Sequence, residues 1–420
     1  MKPKLLSTLP GYTARLFVGD AVAGVTVAMV AIPLSIAIAI ASGATPAQGL
    51  ITAIVAGFLI SLLGGSRVQI GGPTGAFIVV VYSVIADHGY DGLVMATLMA
   101  GVILILAGLL RVGNLIAYVP EPVINGFTIG IGVIIASGQL KDFAGLDTVA
   151  LPADFLPKMA VLWDARATFN VAALACGVVT LALLVALRRL VPRFPSPIFA
   201  IGLVSAMVMA FQLPVDTIFS RYGALPAGLP LPALPHASIS RMVELLPSAL
   251  VIAFLVAIES LLSAMVADRM IEGSHRPNAE VLAQGWANIA SSLFGGLPAT
   301  GAIARTATNV RAGGRTPVAG MVHAIAILVV VIAAAPLAGM LAMPAMAALL
   351  MITAWNMSEP HNWSTYWAAP VADRILLLLT LTLTVLADLT VAIGVGVAVG
   401  LVLRIWQKRL TAPDWHTPDR

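Results

Sequence analysis

The chain has a single cysteine, Cys176, among its 420 residues, and only 10% of those residues are charged. One cysteine excludes an internal disulfide. Ordinary soluble domains carry about 25% charged residues, and no soluble core absorbs a chain that is 60% hydrophobic. HExxH, GxSxG and Walker A patterns are all missing. Nucleotide-driven pumping and the common hydrolase mechanisms therefore have no support. No nucleophile–base pair offers a membrane-embedded enzyme, so the chain is not read as one. The six histidines (His88, His236, His275, His323, His361 and His416) are scattered, most of them between apolar runs, and suggest no metal set. No cofactor is implied. The N-terminus lacks the h-region and cleavage site of a signal peptide, so the first helix is expected to be retained. The net charge of +4 is not read as nucleic-acid affinity, because excess Lys and Arg in a membrane chain mostly encode topology.

What the chain does have is long apolar runs. Ala21–Ala41, Leu93–Leu110, Val171–Leu187 and Ile375–Leu403 are each long enough to span a bilayer, which takes roughly 20 residues per helix. Fourteen hydrophobic elements are expected near 21–41, 47–63, 75–86, 92–110, 122–137, 169–190, 197–211, 244–268, 279–294, 303–311, 317–335, 341–355, 371–387 and 389–407. The third and tenth are too short to span unless an extended piece precedes them. Val68-Gln69-Ile70, bounded by glycines, reads as such a strand. With the N-terminus placed in the cytoplasm, the outer loops hold only Lys141, Lys158, Arg166, Arg221 and Arg241 of the 23 Lys and Arg. Arg305 falls inside an element and the other seventeen fall inside the cell, among them Arg188, Arg189, Arg193, Arg311, Arg315, Lys408 and Arg409. That asymmetry supports both the element count and cytoplasmic termini. The segments 141–168 and 212–241 then come out as outer loops, the second rich in proline. Only fourteen residues follow Trp406, too few for a further domain.

The elements carry a near-repeat. Ser61-Leu62-Leu63-Gly64-Gly65 leads to Thr74-Gly75-Ala76, and Ser292-Leu293-Phe294-Gly295-Gly296 leads to Thr300-Gly301-Ala302. An awkward residue precedes each copy, Pro33 in one and Glu259 in the other, and each lies 41 residues before the threonine. Matched, interrupted segments in the two halves of a membrane chain point to a transporter whose site lies where the interruptions meet. Pro33 is expected to interrupt the first helix and free a backbone carbonyl.

Glu259 closes the run Val251 to Ile258. An ionisable group there is expensive and usually functional, and a carboxyl in apolar surroundings is able to take up and release a proton. Ser263 shares its face one turn on. Arg305 opens the short tenth element and needs an anion, a carboxylate or a water-filled cavity. A helix that begins in mid-membrane aims free N–H groups and its positive dipole end at that cavity, and the third element does the same from Thr74. Two helix ends and a guanidinium make an anion site. The alternative is that Arg305 pairs with Glu259 or another acid and locks the bundle. Asp388, between the last two elements, reads as a helix cap, and Arg311-Ala312-Gly313-Gly314-Arg315 as a cytoplasmic turn.

Four stretches resemble the sulfate permease (SulP) family, also called solute carrier family 26. They are Ala31-Ile32-Pro33-Leu34 through Ser42-Gly43, Gly64-Gly65-Ser66-Arg67 through Thr74-Gly75, Glu259-Ser260-Leu261-Leu262-Ser263 through Asp268, and Asn278-Ala279-Glu280 through Asn309. With Leu386-Ala387-Asp388 they cover most of the chain. The likeness is nearest to bacterial and cyanobacterial members that include bicarbonate transporters. It implies an all-α membrane protein of 14 transmembrane segments in 7+7 inverted repeats, the fold of uracil permeases, with strand-plus-half-helix elements at positions 3 and 10. It implies a core domain (about 15–113 and 244–337) moving against a gate domain (about 114–243 and 338–408), in a homodimer. It places the substrate at Leu34, Ile38, Thr74, Gly75, Thr300, Gly301, Ala302, Ile303, Ala304 and Arg305, with Glu259 and Ser263 beside it.

Three departures from the family qualify that expectation. Many sulfate-type members carry Gln where this chain has Leu34. Sodium-coupled bicarbonate members have Asp, Thr and Thr where this chain has Glu259, Ser263 and Ile303, which turns Glu259 toward proton coupling. The family usually ends in a cytoplasmic STAS domain, which these 420 residues do not contain. The expected function is secondary, proton-coupled transport of a small carboxylate or oxyanion such as fumarate, bicarbonate or sulfate across the inner (plasma) membrane. Sodium symport, anion exchange and, further off, nucleobase transport are the alternatives.

Overall fold

The computed structural model describes residues 2–114, 120–148, 151–191, 195–235, 238–387 and 389–406. The helices are α1 Lys4–Thr8, α2 Ala14–Ala41, α3 Pro46–Leu63, α4 Ile78–Leu109, α5 Glu121–Ala144, α6 Phe155–Asp164, α7 Val171–Leu190, α8 Ser196–Ala210, α9 Ile218–Tyr222, α10 Ile239–Ile271, α11 Pro277–Leu293, α12 Ile303–Arg311, α13 Val318–Gly339, α14 Met343–Met357, α15 Trp363–Ala368, α16 Val371–Leu386 and α17 Leu389–Trp406. Two two-residue strands, β1 Gly71–Gly72 and β2 Thr300–Gly301, complete it. Seven helices among the described residues are long and apolar enough to cross a membrane. Helix is the expected outcome for such runs, because a segment in hydrocarbon must satisfy its own N–H and C=O groups.

The helix starts follow local chemistry. Thr13 Oγ1 accepts from Leu16 N at 3.3 Å, and Ser238 Oγ accepts from Arg241 N at 3.2 Å. Asn170 Oδ1 accepts from the Ala172 and Ala173 N–H groups, and Thr45 with Gln48 forms a capping box. These side chains take up donors that a helix start leaves unpaired. Each of the fourteen hydrophobic elements falls on helix. The third and fourth are the two halves of α4, which kinks at Gly89, where φ is 72°. That left-handed backbone is open to glycine at little steric cost.

Three expectations need correction. Pro33 does not break the first helix, since α2 runs without interruption from Ala14 to Ala41. Proline removes one N–H and still fits inside a buried helix whose neighbours support it. Likewise α10 continues through Glu259. The short strand lies at Gly71–Gly72 and not at Val68-Gln69-Ile70. Side chains of α12 already take the backbone of the earlier stretch. Ile70 N donates to Thr306 Oγ1 at 3.1 Å and Asn309 Nδ2 donates to the Val68 carbonyl at 2.8 Å. Finally, the two outer segments read as loops contain the helices α6 and α9. Asp388 and the tail from residue 407 lie outside the described residues.

The packing brings distant parts of the chain together. Helix α4 packs on α10 and α11, α13 packs on α2 and α3, and α5 packs on α14 and α16. Small residues allow these approaches. A Cβ on Gly101 would meet the Gly285 carbonyl of α11 at 2.8 Å, so α4 and α11 touch backbone to backbone.

Candidate functional site

The near-repeat closes into one structure. β1 and β2 pair antiparallel, with Gly71 opposite Gly301 and Gly72 opposite Thr300. Ala302 N extends the contact by donating to the Ile70 carbonyl at 2.8 Å. Each strand feeds a helix start. After β1, Gly75–Phe77 forms a 3₁₀ turn that leads into α4, and after β2, Ala302 caps α12. The first backbone bond of the 3₁₀ turn is Phe77 N to the Thr74 carbonyl, and that of α12 is Thr306 N to the Ala302 carbonyl. The N–H groups of Gly75, Ala76, Ile303, Ala304 and Arg305 therefore have no partner inside their helices. Such N-termini favour anions.

Arg305 sits at this junction with 1% of its surface exposed. Its Nη2 donates to the Pro73 carbonyl, while Nε and Nη1 have no partner. Among the described residues no carboxylate lies within ion-pair distance of it. Gly72 makes the approach possible. A Cβ there would collide with Arg305 Nη1, and φ of 147° disfavours any side chain.

Glu259 does not pair with Arg305. It accepts from Thr74 Oγ1 at 2.7 Å, which ties α10 to the residue opening the first half-helix. Ser263 Oγ lies 3.2 Å from Thr306 Oγ1, so the same face of α10 also holds α12. The Thr300 hydroxyl donates to the Val256 carbonyl at 3.0 Å, which gives that side chain a structural partner. Ile303 and Ala304 are exposed at the first turn of α12, while Gly301, Ala302 and Arg305 are buried. Leu34 is partly buried and Ile38 is buried on α2. A Cβ on Gly75 would meet Met357 Sδ at 3.1 Å and Ile135 Cδ1 at 3.6 Å, so α14 and α5 face this half-helix.

Sequence reasoning missed the polar network behind the site. Glu280 is fully buried and accepts four hydrogen bonds. The donors are Gly65 N at 2.8 Å, Ser66 N at 3.2 Å, Ser260 Oγ at 2.9 Å and Gln284 Nε2 at 2.8 Å. Gln69 Nε2 joins through Ser260 Oγ at 3.0 Å. Glu280, Gln284 and Asn288 recur every four residues on α11, and that spacing was the available signal. Asp20 is also fully buried. It accepts from Arg315 N, Thr316 N, Thr316 Oγ1 and Tyr12 Oη, and so fastens α2 to the turn before α13.

Relatives share this architecture. YvdB of Bacillus subtilis (strain 168), provisionally named a sulfate transporter, is 46% identical over 83% of this chain and 66% of its own length. The bicarbonate transporter BicA of Synechocystis is 33% identical over 79% of this chain and 59% of its own length. The chain thus spans about three-fifths to two-thirds of the length of these relatives. The solved transmembrane domain of a cyanobacterial BicA superposes with a TM-score of 0.80 at 29% identity, covering 93% of this chain and 98% of that one. Their names are those of transporters and not of enzymes. The sequence profile of the sulfate permease family matches residues 17–380, across the strand pair, both half-helices and the buried network. The chain belongs to the sulfate permease family.

Proposed function

We propose that this chain is a secondary transporter of a small inorganic or organic anion, with bicarbonate and sulfate the leading substrates. The observation that carries the reading is Arg305, a buried guanidinium with two unpartnered N–H-bearing nitrogens and, among the described residues, no carboxylate within ion-pair distance. A charge in that setting calls for a counter-ion, and two helix starts converge on the same place. An anion held there would satisfy the guanidinium and the free backbone N–H groups together. The relatives named for sulfate and bicarbonate transport support that substrate class.

Proton coupling is assigned to Glu259, a carboxyl of α10 that touches the first half-helix through Thr74. A proton on Glu259 and an anion on Arg305 would neutralise the two ionisable groups together. Movement then proceeds by alternating access. The unit 15–113 with 244–337 carries the site past the unit 114–243 with 338–408, and Gly75 against Met357 and Ile135 lies on that boundary. The membrane is read as the inner (plasma) membrane, with cytoplasmic termini and a homodimer as the assembly. Sodium coupling is the weaker reading, because Ile303 offers no oxygen ligand.

The test is uptake of labelled bicarbonate, sulfate and fumarate into proteoliposomes, with and without an inward proton gradient. Gradient-stimulated uptake of one anion, lost in Arg305→Ala and uncoupled in Glu259→Gln, is the expected result. Uptake indifferent to pH and driven by trans-anion or by sodium would replace proton symport with exchange or sodium symport.

A further inference from the structure

His323 has no role in the site described so far, yet it is the most anomalous polar side chain near it. It lies on α13, is 0% exposed, and neither ring nitrogen has a hydrogen-bond partner. Buried polar groups are otherwise paired in folded proteins. The packing fixes where it is. Three residues earlier on the same helix, Gly320 lies against Ser61 of α3 and, at 3.3 Å from its would-be Cβ, against Ile70 Cδ1. Ile70 is the residue whose N–H and carbonyl bond Thr306 and Ala302 at the start of α12. On its other side, α2 reaches the His323 backbone at Gly24. His323 therefore follows by one turn of α13 the residue that packs on Ile70, and Ile70 bonds the start of the helix that carries Arg305.

The charge environment is simple. The helices packed on α13 are α2, α3 and, more lightly, α9. Their charged groups are Arg15, which is exposed, Asp20, held by Arg315, Thr316 and Tyr12, and Arg221, paired with Asp142 and Asp216. Arg305 is the buried guanidinium on the helix start that Ile70 bonds. Arg305 itself has Nε and Nη1 unpartnered. A guanidinium is donor only, and a neutral imidazole always presents one acceptor nitrogen. Unused donors and an unused acceptor are thus both buried among the elements gathered around Ile70.

We propose that His323 is the positioning residue for Arg305, its ring nitrogen accepting from the guanidinium directly or across one water and so holding it toward the two helix starts. This rests on the anion reading above. It makes the site a three-helix construction, with α13 setting the guanidinium that α12 supplies. A hydrogen bond to a charged group is about twice as strong as a neutral one, and its loss should weaken anion affinity about tenfold.

The test is uptake kinetics of labelled bicarbonate, sulfate and fumarate in proteoliposomes for His323→Leu, His323→Gln and Arg305→Ala, with the unfolding temperature of each in detergent. His323→Leu is expected to raise KM about tenfold with a smaller change in kcat, and His323→Gln, which keeps an acceptor, to recover most of it. The unfolding temperature of His323→Leu should change little, because the leucine that deprives Arg305 of an acceptor also removes the cost of burying an imidazole. An unchanged KM in His323→Leu, with Arg305→Ala inactive, overturns the positioning role and leaves the anion site standing. Full uptake by Arg305→Ala overturns both. Should His323→Leu fail to fold, His323→Met carries the same reading.

Discussion

Thr74 Oγ1 donates to Glu259 Oε2 at 2.7 Å, joining residues 185 positions apart in the chain. The bond fastens the opening of one half-helix to the middle of the helix that precedes the other. One half of the near-repeat is thereby tied to the other through a carboxyl that is able to change protonation.

Thr74→Val tests that link. Valine keeps the shape and removes the donor, leaving a partly buried carboxyl without its hydrogen bond. The cost of such a loss is about 1–3 kcal/mol. The expected outcome is a fall of about tenfold or more in uptake rate, and Thr74→Ser, which keeps the hydroxyl, should retain most of the activity. Equal rates for Thr74→Val and wild type would remove the hydroxyl from the mechanism.

Glu259→Gln removes the carboxyl to which proton coupling is assigned above while preserving size and polarity. Gradient-driven accumulation is expected to vanish, while counterflow of the anion persists, because Arg305 and the helix starts are untouched. Measuring accumulation and counterflow on the same proteoliposomes separates the two. If both are lost, Glu259 belongs to anion binding and not to coupling.

The parts of the fold that were legible in the sequence are those governed by local chemistry. Apolar length set the helices, and the matched Gly-Gly and Thr-Gly-Ala segments marked where the two halves are interrupted. Glu259 and Arg305 stood out because ionisable residues are rare in such runs. What was not legible depends on partners far away in sequence. Nothing local tells that Glu259 answers to Thr74 and leaves Arg305 unpaired. Nothing local tells that α2 absorbs Pro33 without a break, or that Thr306 and Asn309 take the backbone of 68–70 and push the strand pairing to Gly71. Glu280 was hidden for the same reason, since its donors come from three separate segments.

Glu280→Ala should be the most damaging substitution to stability among the residues named. Four donors from α10, α11 and the Gly65–Ser66 turn would lose one acceptor. An unsatisfied buried group costs about 1–3 kcal/mol, so the sum is about 2–6 kcal/mol even if half the four donors find new partners. A clear drop in unfolding temperature is expected, with Glu280→Gln intermediate. A drop no larger than that of an exposed control such as Glu272→Ala would show that the network is not a structural centre.

Tyr12 gives a pH-dependent reading of the opposite end of α2. Burial first, and then its hydrogen bond to Asp20, push its hydroxyl from the usual 10.0 up to about 12. The protonated form is therefore favoured in the folded state. The stability it contributes is complete below pH 10.0 and is lost as pH rises from there toward about 12. In an alkaline titration followed by tyrosinate absorbance, the late-titrating amplitude should fall by one tyrosine in Tyr12→Phe. Tyr12→Phe should also flatten the loss of stability over that interval. Loss of that amplitude near pH 10.0 instead would show that the Asp20 clamp does not include Tyr12.

Gly72→Ala addresses the proposed anion site without replacing a charged residue. The added methyl would occupy the place of Arg305 Nη1, on a backbone whose φ of 147° already disfavours a side chain. Both effects push the guanidinium away from the helix starts, and the second costs about 1–3 kcal/mol at a strained position. The expected result is an anion KM raised about tenfold or more, together with a lowered unfolding temperature. Gly11→Ala provides the control for strain alone, since φ there is 85° with nothing within 4 Å of the new methyl. If both alanine variants lower stability and neither changes KM, Gly72 serves only the turn. A change in KM confined to Gly72→Ala assigns the glycine to the space that Arg305 needs.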